Sequence, residues 1–240
     1  MIFLILRPFD VLNSILQAIF IITTVIIGLM IISKYFKYKE RVFLMVGLAW
    51  IGMVEPWMAS VSNLLFTLIN GYTFNVQVYL LIGITFIPFS LFFWFVAITD
   101  LMYEKRQKLI LSIIAIYGIL FEIYFIFFLI VDPAVLAVLH GVINIEYMLP
   151  LQIYIISVLA LAIIAGFNFA LTSMKSKNPE VRLKGKFLLI AFILFAIGAF
   201  SDLIFIRDIL TLLITRFILI SSSIFFYLGF ILPEFIRNKM

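Results

Sequence analysis

Seven long apolar stretches follow one another along the chain, separated by short polar segments. They cover approximately residues 11–33, 42–69, 76–99, 107–131, 150–173, 185–206 and 209–232. A helix of about 20 apolar residues is long enough to cross the hydrocarbon core of a bilayer. Lipid offers no partner for backbone N–H and C=O groups, so each stretch must be helical. The pattern therefore predicts an all-α polytopic membrane protein, a single seven-transmembrane helix bundle over residues 1–240.

Basic residues are distributed unevenly between the connections. Fourteen of the 17 lie in the first, third and fifth connections or near the C-terminus, whereas Arg7 and Arg207 lie on the opposite side. Cytoplasmic loops are enriched in Lys and Arg. We therefore expect the N-terminus outside and the C-terminus in the cytoplasm. The fourteen are Lys34, Lys37, Lys39, Arg41, Lys105, Arg106, Lys108, Lys175, Lys177, Arg182, Lys184, Lys186, Arg237 and Lys239.

Composition supports a membrane location and limits the chemistry of the chain. Hydrophobic residues make up 66% and charged residues 12%, about half the charged share of a soluble domain. We expect a multi-pass protein of the cell membrane, with the lipid bilayer as its first partner. The net charge of +5 comes mostly from the cytoplasmic connections, so no nucleic-acid partner is predicted. With no cysteine and one histidine, neither a metal site nor a cofactor is expected.

Three local features predict departures from straight helices. Pro56 and Pro88 lie inside the second and third spans and predict kinks there. The longest external segment, Asp132 to Leu149, contains the apolar run AVLAVLHGVI and is predicted to form a short interfacial helix. His140, within this run, is expected to be a surface residue rather than a ligand.

Four ionisable residues lie inside the predicted spans, namely Glu55, Glu122, Asp202 and Arg216. Charged groups at membrane depth are costly and are therefore the first candidates for function. The predicted orientation places all four in the outer half of the bilayer. Asp202, on the adjacent helix at similar depth, is the expected partner of Arg216, and Glu122 is the next candidate.

Two more polar residues, Ser223 and Tyr227, share a face of the last span with Arg216 at spacings of seven and four. Together the six residues predict an outward-facing polar pocket for a small ligand or ion. Two alternatives stay open. The charges could form structural inter-helix pairs, or they could serve a proton or cation path. Such a path needs acids at the inner side, where only Asp100 comes near.

The chain shows none of the common catalytic or cofactor patterns. H-E-x-x-H, G-x-S-x-G and P-loop sequences are missing, and we expect no enzyme activity. The last span has no lysine for a retinal Schiff base. The third span reads ITDLMYEK and lacks the acid-Arg-Tyr pattern of G-protein-coupled receptors, and Asn-Pro-x-x-Tyr is missing from the seventh. The likeness to those receptors is one of topology alone.

Four strings together resemble a known group of proteins. They are EPWMASVSNLLF, FIPFSLFFWFVAITDLMYEKRQK, NPEVRLKGKFLLIAFILFAIGAFSD and RFILISSSIFFYLGFILPEFIRNK. They resemble a family of uncharacterised archaeal seven-transmembrane proteins. The architecture is also similar to the seven-helix sensor region that precedes the kinase in some histidine kinases. The resemblance implies a membrane sensor or a receptor-like module.

We therefore expect a stand-alone receptor-like or sensory protein that binds a small external ligand. Its signal would pass to a cytoplasmic partner through basic surfaces, unless these residues only hold the topology. The predicted partner surface consists of Lys105, Arg106, Lys108, Arg182, Lys184 and Lys186. Two other functions stay open. One is a small transporter or channel subunit that uses the intramembrane carboxylates, and the other is a structural or assembly subunit of a membrane complex.

Overall fold

The computed structural model of the chain describes residues 7–142, 144–204 and 208–233. Within these ranges it contains nine α-helices and one short β-hairpin. The helices are α1 (Pro8–Tyr38), α2 (Arg41–Gly52), α3 (Glu55–Asn70), α4 (Val76–Ile84), α5 (Ile87–Met102), α6 (Gln107–Val131), α7 (Leu149–Met174), α8 (Pro179–Ile204) and α9 (Ile209–Ile231). The hairpin strands are β1 (Ala137–His140) and β2 (Asn144–Tyr147), and 3-10 turns at Glu104–Arg106 and Pro133–Val135 precede α6 and β1.

Six helical segments in the described ranges are long and apolar enough to cross a membrane. They contain α1, α4 with α5, α6, α7, α8 and α9. The pair α2 and α3 bends by 50° at its junction and would add a seventh span if both halves belong to one crossing. The predicted polytopic helical bundle is confirmed. Residue 206, at the predicted end of the sixth span, lies outside the described residues, as do Arg207, Arg237 and Lys239.

Side chains cap several of the helix starts. Asn75 Oδ1 accepts a hydrogen bond from the backbone N–H of Val78 at 2.9 Å at the start of α4. Asp208 Oδ1 accepts from Thr211 N at 2.9 Å before α9. Such caps satisfy N–H groups that have no partner within the helix. They mark the points at which α4 and α9 begin.

Two spans are interrupted where proline enters the second position of a new helix. Pro56 follows the break between α2 and α3, and Pro88 follows the break between α4 and α5. Proline has no N–H to donate and its ring clashes with the preceding turn. The helix is therefore interrupted at both predicted positions, with a bend of 50° between α2 and α3, and the two breaks lie side by side. The carboxyl group of Glu55 joins them, because its Oε1 accepts a hydrogen bond from Phe86 N at 2.7 Å.

The segment between α6 and α7 forms a hairpin, so the prediction of a short interfacial helix there is wrong. β1 and β2 pair antiparallel, and Gly141 turns the chain with φ at 77°. A short apolar run does not distinguish strand from helix by its periodicity, and here the left-handed glycine and the β-branched residues favour the strand. Asn63 holds the hairpin against the end of α3 by donating from Nδ2 to the carbonyl oxygen of Val142 at 2.6 Å.

The helices pack as an irregular bundle with two chemically different ends. α1 contacts α2, α3 and α9, α8 lies between α7 and α9, and α5 contacts α2, α6 and α7. We call the end that carries β1 and β2 the hairpin end. The opposite end carries the turns from α1 to α2, α5 to α6 and α7 to α8, with most of the basic residues, and we call it the basic end.

A layer of aromatic side chains fills the bundle between these two ends. Trp50 stacks on Phe226 with ring centroids 3.6 Å apart, and Phe195 lies 5.4 Å from the Trp50 ring. Trp94 lies 5.5 Å from Phe192 and donates from Nε1 to the carbonyl oxygen of Ala162 at 3.1 Å. We call these five rings the aromatic layer. Because all five are nearly fully buried, the layer belongs to the packed interior of the bundle.

Close packing of α1 on α2 generates a prediction. A Cβ atom added at Gly47 would lie 2.6 Å from the carbonyl oxygen of Gly28, a backbone atom that cannot rotate away. Gly47→Ala should therefore destabilise the bundle by about 1–3 kcal/mol, and thermal unfolding of the purified protein measures this loss. The matched control is Gly118→Ala, whose new methyl group meets only the Pro88 side chain, at 3.2 Å. Equal unfolding temperatures for the two variants would contradict the prediction.

Candidate functional site

A cavity of about 510 Å³ opens at the hairpin end of the bundle. Helices α1, α3, α4, α7, α8 and α9 and strand β2 contribute to its wall, together with the end of α2, the start of α5 and Met53 at the first helix break. Its polar lining residues are Asn13, Gln17, Trp57, Ser60, Tyr79, Glu146, Tyr147, Gln152, Asp202 and Arg216. Its apolar lining residues are Phe9, Gly52, Met53, Pro56, Ile87, Ile145, Ile155, Val158, Leu159, Phe195 and Ala199. This volume is in the range of small-molecule binding sites.

An ion pair between Arg216 and Asp202 lies in the cavity wall. Arg216 Nη1 donates to Asp202 Oδ2 at 2.9 Å and Nη2 donates to Oδ1 at 2.8 Å, so the pairing is bidentate. Nη2 also donates to Asn13 Oδ1 at 2.9 Å, and Trp57 Nε1 donates to Asp202 Oδ2. The predicted pairing of Arg216 with Asp202 is confirmed. These contacts tie α9 to α8, α1 and α3.

The local sequence explains how the two charges meet. α8 and α9 are joined by a short connection, so residues near the end of α8 lie at the same depth as the first turns of α9. Gly198, one turn before Asp202, lets the helices approach, because a Cβ atom there would lie 2.6 Å from the Leu219 side chain. The side chain of Arg216 is only 1% exposed, whereas that of Asp202 is 16% exposed.

The rest of the polar lining is neutral except for Glu146. Ser60 and Tyr79 share a hydrogen bond of 2.6 Å between their hydroxyl groups. Gln17 is 5% exposed, and its Oε1 has no hydrogen-bond partner among the described residues. Burial of its hydroxyl raises the pKa of Tyr147 well above the usual range, and the nearby Tyr79 and Asp202 add to the shift. The Tyr147 phenol therefore stays protonated and is available as a donor.

Four of the six predicted site residues do not line this cavity. Glu55 lies at the paired helix breaks, and Glu122 lies on α6. Ser223 shares a hydrogen bond of 2.9 Å with Thr24, in the interior. Tyr227 lines a groove at the basic end, beside Lys34 and Lys37. The expectation that all six residues line one pocket therefore needs correction.

Depth and helix order explain the separation. Ser223 follows Arg216 by seven residues, which corresponds to about 10 Å along α9, and this places it beyond the reach of the cavity. α6 packs against α5 rather than against α8 or α9, so Glu122 is remote from Arg216. Glu122 Oε1 is nevertheless buried, and it has no hydrogen-bond partner among the described residues. Glu55 Oε2 is likewise buried and without a hydrogen-bond partner among them.

Sequence reasoning missed the contribution of α1 and of β2. Asp10, Asn13, Ser14 and Gln17 recur at spacings of three and four residues, which places them on one face of α1. Asp10, Ser14 and Gln17 are buried, although they are polar. This polar stripe in an otherwise apolar span was a visible signal. By contrast, Glu146 and Tyr147 reach the cavity wall because the chain forms the hairpin, and the pattern of apolar residues did not predict that hairpin.

The basic end holds the residues predicted to contact a partner. Lys105, Arg106, Lys108, Arg182 and Lys186 are exposed, and Lys184 is half-buried in a salt bridge of 2.8 Å with Glu180. No group of three or more His, Cys, Asp or Glu side chains in the described part of the chain is placed to hold a metal ion.

Asp100 at the basic end is occupied by a structural contact. Arg41 Nε donates to Asp100 Oδ2 at 2.6 Å, and Arg41 Nη2 donates to Oδ1 at 2.5 Å. Gln107 Nε2 donates to the same Oδ1 at 2.5 Å. The contacts fasten the start of α2 to the end of α5 and the start of α6. Asp100 is therefore a group that joins three helices.

The Arg216–Asp202 pair generates a stability prediction. Asp202→Ala leaves a buried guanidinium without its counter-charge and should destabilise the protein by about 3–5 kcal/mol. Thermal unfolding of the purified protein in detergent measures this loss. A double variant, Asp202→Leu with Arg216→Met, removes both charges and should recover most of the stability. If the double variant unfolds at the same temperature as Asp202→Ala, the loss does not come from the unpaired charge.

Glu55 generates a second prediction, at the helix breaks. Glu55→Gln keeps an acceptor oxygen for Phe86 N, whereas Glu55→Ala leaves that buried N–H without its partner. We expect the alanine variant to lose about 1–3 kcal/mol of stability and the glutamine variant to unfold close to the wild type. Denaturation midpoints of both variants measure the difference. An equal loss in both would show that the charge, and not the hydrogen bond, holds the breaks together.

Comparisons with known proteins add no further information about the site. No protein-family model matches the chain, and no curated protein matches it significantly.

Proposed function

We propose that this chain is a receptor-like or sensory membrane protein of the cell membrane that binds a small ligand from outside. In this proposal α2 and α3 form one bent crossing, which gives seven spans. The hairpin end faces outward and the basic end faces the cytoplasm, with the N-terminus outside and the C-terminus inside. The unequal distribution of lysine and arginine between the two ends supports this orientation.

The observation that carries the proposal is a cavity open at one end and closed beneath. The polar cavity lies at the hairpin end, and the aromatic layer, with Trp50 stacked on Phe226, separates it from the basic end. An apolar void of about 20 Å³ lies next to Trp50 and Trp94. This arrangement suits a protein that binds a ligand without passing it on.

A two-helix connection between the ends supports a sensory role. α2 and α5 pack against each other, and Arg41 and Asp100 join them at the basic end. Near the cavity, the Glu55–Phe86 hydrogen bond joins the breaks at which α2 ends and α5 begins. Gly52 and Ile87, which begin or end these helices, also line the cavity. A ligand at this wall is therefore in contact with the elements that reach the cytoplasmic loops. The exposed basic residues there are the proposed contact surface for a signalling partner.

One observation favours a second candidate, a small transporter. Transporters commonly place their substrate sites at interrupted helices, and both interrupted spans of this chain reach the cavity. In that case the aromatic layer would open during each cycle. The two candidates therefore differ in whether the deep cavity ever becomes accessible from the cytoplasm.

Accessibility of single cysteines tests the proposal, since the chain contains no native cysteine. Met53→Cys places a thiol in the cavity wall, and Lys177→Cys places one in the turn between α7 and α8. A small, membrane-impermeant methanethiosulfonate should modify Met53→Cys on intact cells. It should modify Lys177→Cys only in inside-out vesicles.

The transporter predicts a different result in the same experiment. Met53→Cys would then also react in inside-out vesicles, because the cavity would open to the cytoplasmic side. Exclusive external reaction of Lys177→Cys would overturn the orientation. Failure of Met53→Cys to react from outside would overturn the outward-facing pocket.

A further inference from the structure

The charge that the cavity presents to a ligand is negative, although its wall contains an arginine. Arg216 is 1% exposed, and its terminal nitrogens are engaged by Asp202 and Asn13. Its Nε is buried and has no partner among the described residues. Asp202 also lines the cavity and is 16% exposed, so its carboxylate is the more accessible member of the pair. A carboxylate has about four acceptor positions, so Asp202 can accept another hydrogen bond while it remains paired.

A second carboxylate stands at the mouth of the cavity. Glu146 on β2 lines the cavity, and its side chain is 69% exposed. Its only ionic partner in the described structure is His140, at 3.2 Å on the exposed face of the hairpin. Two acids against one buried arginine give the wall an excess of negative charge. The negative electrostatic potential of this wall raises the local concentration of cations and disfavours anions.

Aromatic rings and an unpaired acceptor complete a surface suited to an organic ammonium group. Trp57 donates its indole N–H to Asp202, which places the indole beside that carboxylate. Tyr79 and Tyr147 line the same space. Aromatic rings attract organic cations through their negatively charged faces. Gln17 Oε1, buried and unpartnered at the wall, offers a further acceptor for an N–H donor.

The deeper part of the wall is apolar. Met53, Ile87, Val158, Leu159 and Ala199 line it below the charged groups. Below these residues lies the aromatic layer, so this part of the cavity is a closed apolar pocket. A bound molecule would therefore place an apolar body inward and a polar group toward Asp202.

We propose that this cavity binds a lipophilic amine, with its ammonium group at Asp202 and Glu146 and its apolar body against the deep wall. The proposal rests on the proposed function, because it presumes an external ligand site. It commits to one charge class, since Asp202 and Glu146 are both more exposed than Arg216 and would repel a carboxylate ligand.

Matched probes that differ only in their head group test this proposal. We would use 1-naphthylmethylamine, 1-naphthalenemethanol and 1-naphthoate, which share one ring system and carry a cation, a neutral group and an anion. Binding is measured by isothermal titration to the full chain in phosphatidylcholine nanodiscs, with empty nanodiscs as the blank. We expect the amine to bind at least about tenfold more tightly than the alcohol, because it forms a charge-assisted hydrogen bond. The naphthoate should bind most weakly.

A pair of glutamate variants provides the control. Glu146→Gln removes the exposed carboxylate at the mouth and should lower the amine affinity about threefold without changing the alcohol affinity. Glu104→Gln removes an exposed acid at the basic end and should change neither. Asp202→Asn should abolish the preference for the amine. If the Asp202→Asn protein does not fold, Glu146→Gln still supplies the test.

The outcomes separate this inference from the proposed function. If the naphthoate or the alcohol binds as tightly as the amine, the amine proposal is overturned while an external ligand site stands. If Glu146→Gln and Glu104→Gln lower the preference for the amine by the same factor, the preference comes from the overall charge of the protein. That result also overturns the amine proposal. If none of the three probes binds to the wild-type protein, both the amine site and the ligand-binding function are contradicted.

Discussion

The guanidinium of Arg216 lies inside a helix bundle where almost no water reaches it, and the helices around it are arranged to satisfy its charge. An arginine keeps its proton in proteins, so it needs a counter-charge or access to water. Asp202 supplies the counter-charge in a bidentate pair, Asn13 supplies a neutral acceptor, and Trp57 supplies a donor to the carboxylate. These contacts come from α8, α1 and α3. Because removing one charge would leave the other buried and unpaired, these helices must keep their relative positions.

The same contacts determine what the cavity offers to a ligand. Asp202 is the more exposed member of the pair, and the terminal nitrogens of Arg216 are already engaged, so the buried guanidinium orients the carboxylate of Asp202. The aromatic layer below has no charged group and closes the floor by packing alone. Polar recognition is therefore concentrated at the upper wall, and the deeper wall contributes apolar contact. This division is common in small-molecule sites, where few polar groups orient a mostly apolar ligand.

Hydrophobic patterning predicted the helices well, because spans of about 20 apolar residues leave few alternatives in lipid. It also predicted the Arg216–Asp202 pair, since these residues lie on consecutive antiparallel helices at the same depth. It could not predict which non-consecutive helices are neighbours. Glu122 was therefore assigned to the wrong group of residues, and Asn13 on α1 was overlooked. The hairpin was missed because a short apolar run favours strand and helix alike, and its position depends on a tertiary contact with Asn63.

Proline explains why the cavity exists beside a tightly packed core. α2 and α3 bend by 50° at their junction, and Met53 and Pro56 at this junction line the cavity. The break exposes backbone groups, which is costly in an apolar interior. Glu55 offsets part of that cost by accepting the N–H of Phe86 from the second break. One carboxylate thus stabilises two interruptions, and the interruptions create the wall on which a ligand would rest. Glu55 does not line the cavity, but it stabilises the two helix breaks that contribute to the cavity wall.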